Sequence, residues 1–584
     1  MYFLPLLLGL VVRALLIPIS GFKADMAFWK GWGLAVADKG IIWLVNINNT
    51  NYNYPPGFAY ILDLINTIYK LFADPYNISQ YWMDNNLLYL FLFKILIILS
   101  DIGLVFLIIK ISQKLKSKWG WLLAVIFFLN PAVLFDGVVW GQVDQFGLFL
   151  FLGAIYFFVD EKPWASSIIF TIAWLMKWQN ILFIPIFYLF IYKKYSFNEL
   201  IKSIAISLVT FAVIIFPFIF HREMANLFDL FTVNSNYFPW YSLNAFNGWW
   251  IASGLNGMGI SDKTLVLGIV NAKQFGLLLF CLLYFIASLN IFLAKKEEAL
   301  KQFVLSSTLV ILSFFHLLTQ SHERYLFHLL GFVIMFYFFK IEKKLMNIIS
   351  LLSAVTFGIF FNMYISMAWN YPDQVYWPFS AEVTRSFTLF ISILQIIVFI
   401  YIFFRYFSSF IKKNYLWVVA ALSIIIVVLL TMNYGYLLGR PISLTKITPI
   451  DTQQDYLKPM IDMTVESARG VKYWNRLSNN YFFYNKGIGA HANSVISYGL
   501  GKRFSKLTTD FGIDTEAGDQ NKAVFIIQGD GRELYKSKPK GKYELPESIS
   551  VSIKNVNKLT LIIKAEGASN NGLHADWLNP VLIR

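Results

Sequence analysis

The chain has 584 residues, 57% hydrophobic and 18% aromatic, with 14% charged and a formal net charge of +15. Soluble domains carry about a quarter charged residues, so a soluble globular enzyme is excluded as a description of the whole. The basic residues fall in short clusters between apolar runs, the pattern of membrane-protein loops and not of a nucleic-acid surface, and the lone Cys281 excludes a disulfide framework.

Taken in chain order, "MYFLPLLLGLVVRALLIPIS" reads as an uncleaved first span over 2–20, since it has no basic start and no small-residue cleavage site. Apolar runs at 86–110, 119–135, 144–159, 164–176, 179–193, 199–219, 270–293, 300–319, 325–340, 345–366, 386–410 and 415–433 bring the expectation to about thirteen transmembrane helices. The basic clusters at 110–118, 193–194, 294–298, 340–344 and 412–413 share one side. The positive-inside rule makes that side the cytoplasm, with the N-terminus inside and the C-terminal part outside a multi-pass cell-membrane protein. "GFAYILDLINTIYKLF" (57–72) is expected as an interfacial helix within a first outer loop, 21–85, and further outer loops are expected at 221–269 and 367–385.

Beyond residue 434 the long apolar runs stop, and short alternating stretches such as "KAVFIIQG" and "KLTLIIKA" predict strands. The division expected is a helical membrane domain over 1–435, a connecting segment over 436–472 and an extracytoplasmic β-sandwich over 473–584.

Several polar groups are expected on the outer face. Asp25 follows the first span, Tyr54 lies in "NYNYPP", Asp136 and Asp144 flank "GVVWGQV", Lys177 and Gln179 occupy "LMKWQNILF", and His322, Glu323 and Arg324 precede the tenth span. Charges at bilayer depth are expensive and point to function. Each also has a plainer reading. Asp25 serves as a loop carboxylate or helix cap, Asp136 and Asp144 as caps, Lys177 as a snorkelling cation, and "HERY" as an ion-paired helix start.

"YPP", "NPAVLFDGVVWGQVD", "KWQNILFIP" and "HERYLF", with an Asp just after the first span, together resemble the GT-C class of integral-membrane glycosyltransferases over roughly residues 1–435. The branch most similar is that of the dolichyl-phosphate-glucose glucosyltransferases and their bacterial relatives. The resemblance implies transfer of a hexose, such as glucose or mannose, from a polyprenyl-phosphate donor to a glycan or lipid-linked acceptor outside the cytoplasm. It places Asp25 as the base, with inversion at the anomeric carbon. His322, Arg324 and Lys177 would hold the donor phosphate, while Asp144, Asp136, Glu323, Gln179 and Tyr54 would position the acceptor or a metal. A divalent cation, Mg²⁺ or Mn²⁺, stays open as a cofactor. The rivals are a transporter or flippase of lipid-linked or free sugars, and a non-catalytic descendant; no internal repeat of the kind transporters carry is evident.

In the last segment, "GIGAHA", "GDGRELY" and "HADW" resemble, in that order, the NPCBM family of carbohydrate-binding β-sandwiches over about 473–584. Glycan-binding candidates are His491, His574, Asp576 and Trp577. The competing reading buries His491, Asp576 and Trp577 between the first and last strands; a role facing sugar needs Trp577 or Tyr484 exposed.

Overall fold

The structure is a computed structural model that describes residues 3–234, 237–470, 475–480, 482–519, 522–567 and 569–584. The expected domain boundary at 472/473 and residue Tyr2 lie outside the described residues.

Helical structure occupies every expected apolar run, from Phe3–Leu16 to Tyr415–Leu437. Among the described residues seven helices are long and apolar enough to cross a membrane: Leu87–Lys114, Phe197–Ile214, Ala272–Phe292, Lys296–Leu317, Leu345–Asn370, Ala381–Lys413 and Tyr415–Leu437. Gly120–Phe128 and Pro131–Trp140, bent by 46°, make an eighth if taken together. Leu4–Leu16, Asp144–Val159, Pro163–Met176 and Phe327–Phe338 are apolar but shorter than the ~20 residues needed for a hydrocarbon core. The expectation of about thirteen spans is therefore met in length by seven or eight.

The bend has a local cause. Pro131 has no N–H to continue the helix, and Asn130 caps the new start by accepting from the Ala132 N–H at 2.9 Å. The backbone then widens into a π-helical turn over Phe135–Trp140 and stops at Gly141, whose φ of 86° is one that glycine adopts at little cost.

Two compact units make up the chain. The first takes in residues 1–238, 242–257 and 280–418. Its first expected loop, 21–85, is largely helical: Lys23–Lys39, Ile41–Val45, Pro56–Lys70 and Ile78–Tyr81. The helix expected at the interface, Pro56–Lys70, buries one face, with Phe58, Ala59 and Leu62 fully covered, and leaves Leu64 on the other face 49% exposed. Two glycines explain the closeness. A Cβ on Gly33 would meet the Asn66 amide at 1.9 Å, and one on Gly57 would meet the Leu175 carbonyl oxygen at 2.6 Å.

The second unit contains residues 239–241, 258–279 and 419–584. It is built on two antiparallel six-stranded sheets. One runs Glu547–Ser552, Lys506–Ile513, His574–Ile583, Gly487–His491, Met460–Ile461, with Ile442–Ser443 also on His574–Ile583. The other runs Arg532–Lys536, Lys522–Gly529, Lys558–Glu566, Ser494–Gly499, Asp451–Gln454, with Lys540–Gly541 on Lys522–Gly529. Alternate residues of both sheets fill the core, as sandwich packing requires. The expected connecting segment 436–472 is corrected here: three of its strands, at 442–443, 451–454 and 460–461, are hydrogen-bonded into the sheets.

The expected loop 221–269 is corrected as well. Its end forms a hairpin, Leu265–Leu267 with Val270–Asn271, and Leu265 is a member of the sandwich core. Arg503 donates to the Leu265 and Val266 carbonyls, and Gly499 packs on Thr264 where a Cβ would lie 2.6 Å from the hydroxyl.

Candidate active site

A cleft in the first unit, about 820 Å³ with its open mouth, is lined by Asp25, Tyr54, Lys177, Gln179, His322 and Arg324 together with a wall of Trp and Phe. These polar groups come from four separate stretches of sequence.

Asp25 is placed by a backbone contact. Gly21 adopts φ 85°, and a Cβ there would stand 2.7 Å from the Trp140 carbonyl oxygen. The neighbouring Phe22 N–H donates to that same oxygen at 2.8 Å, and its ring stacks on Trp140 at 4.5 Å. The helix Lys23–Lys39 starts from this anchor, with Phe22 as its N-cap. Asp25 is in the first turn and is not the cap. Its Oδ2 accepts from Trp140 Nε1 at 2.9 Å and from the Gln142 amide. Its Oδ1 carries no hydrogen bond among the described residues.

Lys177 ends the helix Pro163–Met176 in an extended conformation and is buried, 3% exposed. Burial rules out snorkelling. Its Nζ lies 3.2 Å from Asp144 Oδ1 and 3.4 Å from both Tyr54 Oη and Gln142 Oε1. Gln179 donates to Asp144 Oδ1 at 3.1 Å. Asp144 itself is the first residue of a helix, where the amide dipoles favour a negative charge.

His322, Glu323 and Arg324 form a turn between the helices Ala299–Leu317 and Phe327–Phe338, so "HERY" is not itself a helix start. Arg324 pairs with Glu323 and holds its Nε 3.6 Å from Asp144 Oδ2. That Nε is buried and has no hydrogen-bond partner among the described residues. Burial alone would lift the Glu323 carboxyl, but Arg324 outweighs it and holds the group at about 2. Burial, then Arg324, lowers His322, which offers hydrogen bonds and not charge at neutral pH.

Asp144 and Glu323 thus stand behind the cationic wall and orient it. Asp136 is more deeply set: it belongs to the π turn, is fully buried, does not line the cleft, and has no hydrogen bond to either oxygen among the described residues. A position in direct contact with a cleft-bound acceptor is therefore corrected for Asp136. No group of three His, Cys, Asp or Glu with metal-holding geometry occurs among the described residues. Trp140 and Gln142, beside Asp144 in "WGQVD", are site residues that no charge singles out in the sequence.

In the sandwich, Trp577 is fully buried against Phe511 and Phe525, at 5.9 and 5.2 Å between ring centres. Asp576 is 1% exposed, and burial followed by the nearby Asp514 raises its carboxyl well above the usual range. Neither presents a surface to a sugar, which corrects both as glycan contacts. His491 and His574 are register partners on neighbouring strands, 5.4 Å apart, with Tyr456 5.3 Å from His491. Burial lowers both, His574 to about 4 with His491 and Arg469 adding to the effect. Tyr484 is half-buried, whereas Phe482 and Phe483 are 61% and 68% exposed and were not anticipated.

The two facing sheets describe a β-sandwich module. Residues 441–583 match the NPCBM/NEW2 domain, so the C-terminal region is an NPCBM carbohydrate-binding domain. A Renibacterium salmoninarum protein named "Putative endo-alpha-N-acetylgalactosaminidase" is 35% identical over 96 residues, 16% of this chain and 6% of that protein. Solved structures similar to the region include a CBM51 module from a Clostridium perfringens GH95 in complex with methyl-galactose, at 24% identity, 24% of this chain, 99% of that one and a TM-score of 0.22. Tandem CBM51 modules of a Streptococcus pneumoniae family 98 glycoside hydrolase match at 16% identity, 24% of this chain, 46% of that one and a TM-score of 0.23.

Proposed function

We propose that this protein is a membrane-embedded glycosyltransferase that moves one hexose from a polyprenyl-phosphate carrier to an acceptor outside the cytoplasm, with the sandwich binding glycan on that side. The observation that supports it most is the gathering, in one cleft, of a carboxylate with an uncommitted oxygen and buried cations drawn from distant segments. A polyprenyl phosphate is already a good leaving group, so a general acid is not required. Asp25 Oδ1 takes the proton of the acceptor hydroxyl as that oxygen bonds to the anomeric carbon. The bond from that carbon to the phosphate oxygen breaks, and its electron pair leaves with the polyprenyl phosphate, inverting the centre. Charge grows on the departing phosphate, and Arg324 and Lys177 meet it with donors already in place.

The reaction is tested by incubating purified full-length protein with polyprenyl-phosphate-linked glucose, mannose and galactose and a panel of glycan acceptors. Sugar transfer with release of polyprenyl phosphate is the expected result. Movement of intact lipid-linked sugar across a proteoliposome without transfer would replace this reading with that of a flippase.

A further inference from the structure

We infer that Gln142, aided by Trp140, is the positioning residue that aims Asp25. The inference rests on the proposed role of Asp25 as base. Gln142 is fully buried and its amide is spoken for at both ends. Nε2 donates to Asp25 Oδ2, while Oε1 accepts from Tyr54 Oη at 3.2 Å and from Lys177 Nζ at 3.4 Å. The reverse orientation would set a carbonyl oxygen against a carboxylate and an amide N–H against an ammonium, so the charges decide which way the amide points. Trp140 Nε1 supplies the second donor to Oδ2 from a ring fixed by its stack on Phe22.

Two donors converge on one oxygen of Asp25, a residue of the cleft wall, which restrains the carboxylate and leaves Oδ1 without a hydrogen bond among the described residues. The same amide ties that carboxylate to Lys177, so the group that removes a proton and a group that meets the phosphate share one rigid connector. Gln142 touches neither substrate nor reacting atoms in this account; it acts through Asp25.

The test compares full-length wild type with Gln142→Leu, Trp140→Phe and Asp25→Asn, using consumption of the three polyprenyl-phosphate sugars, with melting temperature as the check on folding. Leu keeps the bulk of Gln142 and removes both of its hydrogen-bonding ends. Gln142→Leu is expected to lower kcat about 10- to 100-fold, with only a smaller rise in the donor KM from the lost contact to Lys177, the signature of a misdirected base more than of lost binding. Trp140→Phe, which keeps the other donor, is expected to shift kcat the same way by less. An inactive Asp25→Asn beside an unimpaired Gln142→Leu, or a Gln142→Leu whose KM alone rises, would overturn the inference and leave the base assignment standing. If Gln142→Leu fails to fold, an unchanged kcat in Trp140→Phe overturns it instead. Full turnover by Asp25→Asn, or no consumption by wild type, would overturn the base reading and this inference with it.

Discussion

Lys177 and Asp144 meet at 3.2 Å with side-chain exposures of 4% and 1%, an ion pair shielded almost completely from water. Removing one member of such a pair leaves a buried charge uncompensated and costs about 3–5 kcal/mol. Asp144→Ala is therefore expected to lower the melting temperature of the detergent-solubilised protein markedly, and the double variant Asp144→Leu with Lys177→Met to recover part of that loss while staying inactive. An unchanged melting temperature in Asp144→Ala would count against the pair.

Arg324 differs from Lys177 in offering a planar fork of donors, of which Nη1 pairs with Glu323 and Nε lies 3.6 Å from Asp144 Oδ2. Arg324→Lys keeps the charge but not the fork. Loss of one charge-assisted contact predicts donor binding weaker by about tenfold or more, read by titrating the polyprenyl-phosphate sugar. Wild-type affinity in Arg324→Lys would remove the fork from the account.

Leu265 is 4% exposed within the sandwich core, though it precedes the sandwich strands by more than a hundred positions in sequence. Truncating a buried leucine typically costs about 2–5 kcal/mol. Leu265→Ala is expected to speed amide hydrogen exchange in Ser494–Gly499, the strand whose Gly499 packs on Thr264. Exchange there at the wild-type rate would show that the hairpin contributes nothing to the sandwich.

Glu516 is exposed as a residue, yet partial desolvation of its carboxyl, followed by the neighbouring Asp514, raises it to about 7. A raised pKa means that the folded protein holds a proton which the unfolded chain has already released between about pH 4.5 and 7. Its stabilising effect is complete below about 4.5 and is lost as pH rises through 7. Glu516→Gln, neutral throughout, should protect the strand His574–Ile583 from exchange more than wild type does at pH 8, and match wild type near pH 5. A gain of the same size at both values would refute the titration.

Helix positions were readable because long apolar runs leave few alternatives, and the polar groups of the cleft stood out against them. Strands of two to four residues at 442–443, 451–454 and 460–461 are too short to show alternation, so the segment carrying them read as a connector. The hairpin 265–271 joins the sandwich through a contact no local pattern encodes. Its motif left Trp577 either buried or facing sugar, because alternation assigns faces but does not say which is covered, and the structure bears out the buried reading. Gln142 was hidden by its neutrality: its importance is in what its two ends touch, and only three dimensions supply that.

The measurement that bears most directly on the central claim is consumption of polyprenyl-phosphate-linked glucose, mannose and galactose by purified full-length protein, with Asp25→Asn alongside. The account predicts that wild type consumes at least one donor in the presence of a glycan acceptor, while an equally folded Asp25→Asn binds that donor and does not turn it over. Turnover by Asp25→Asn at the wild-type rate would contradict it.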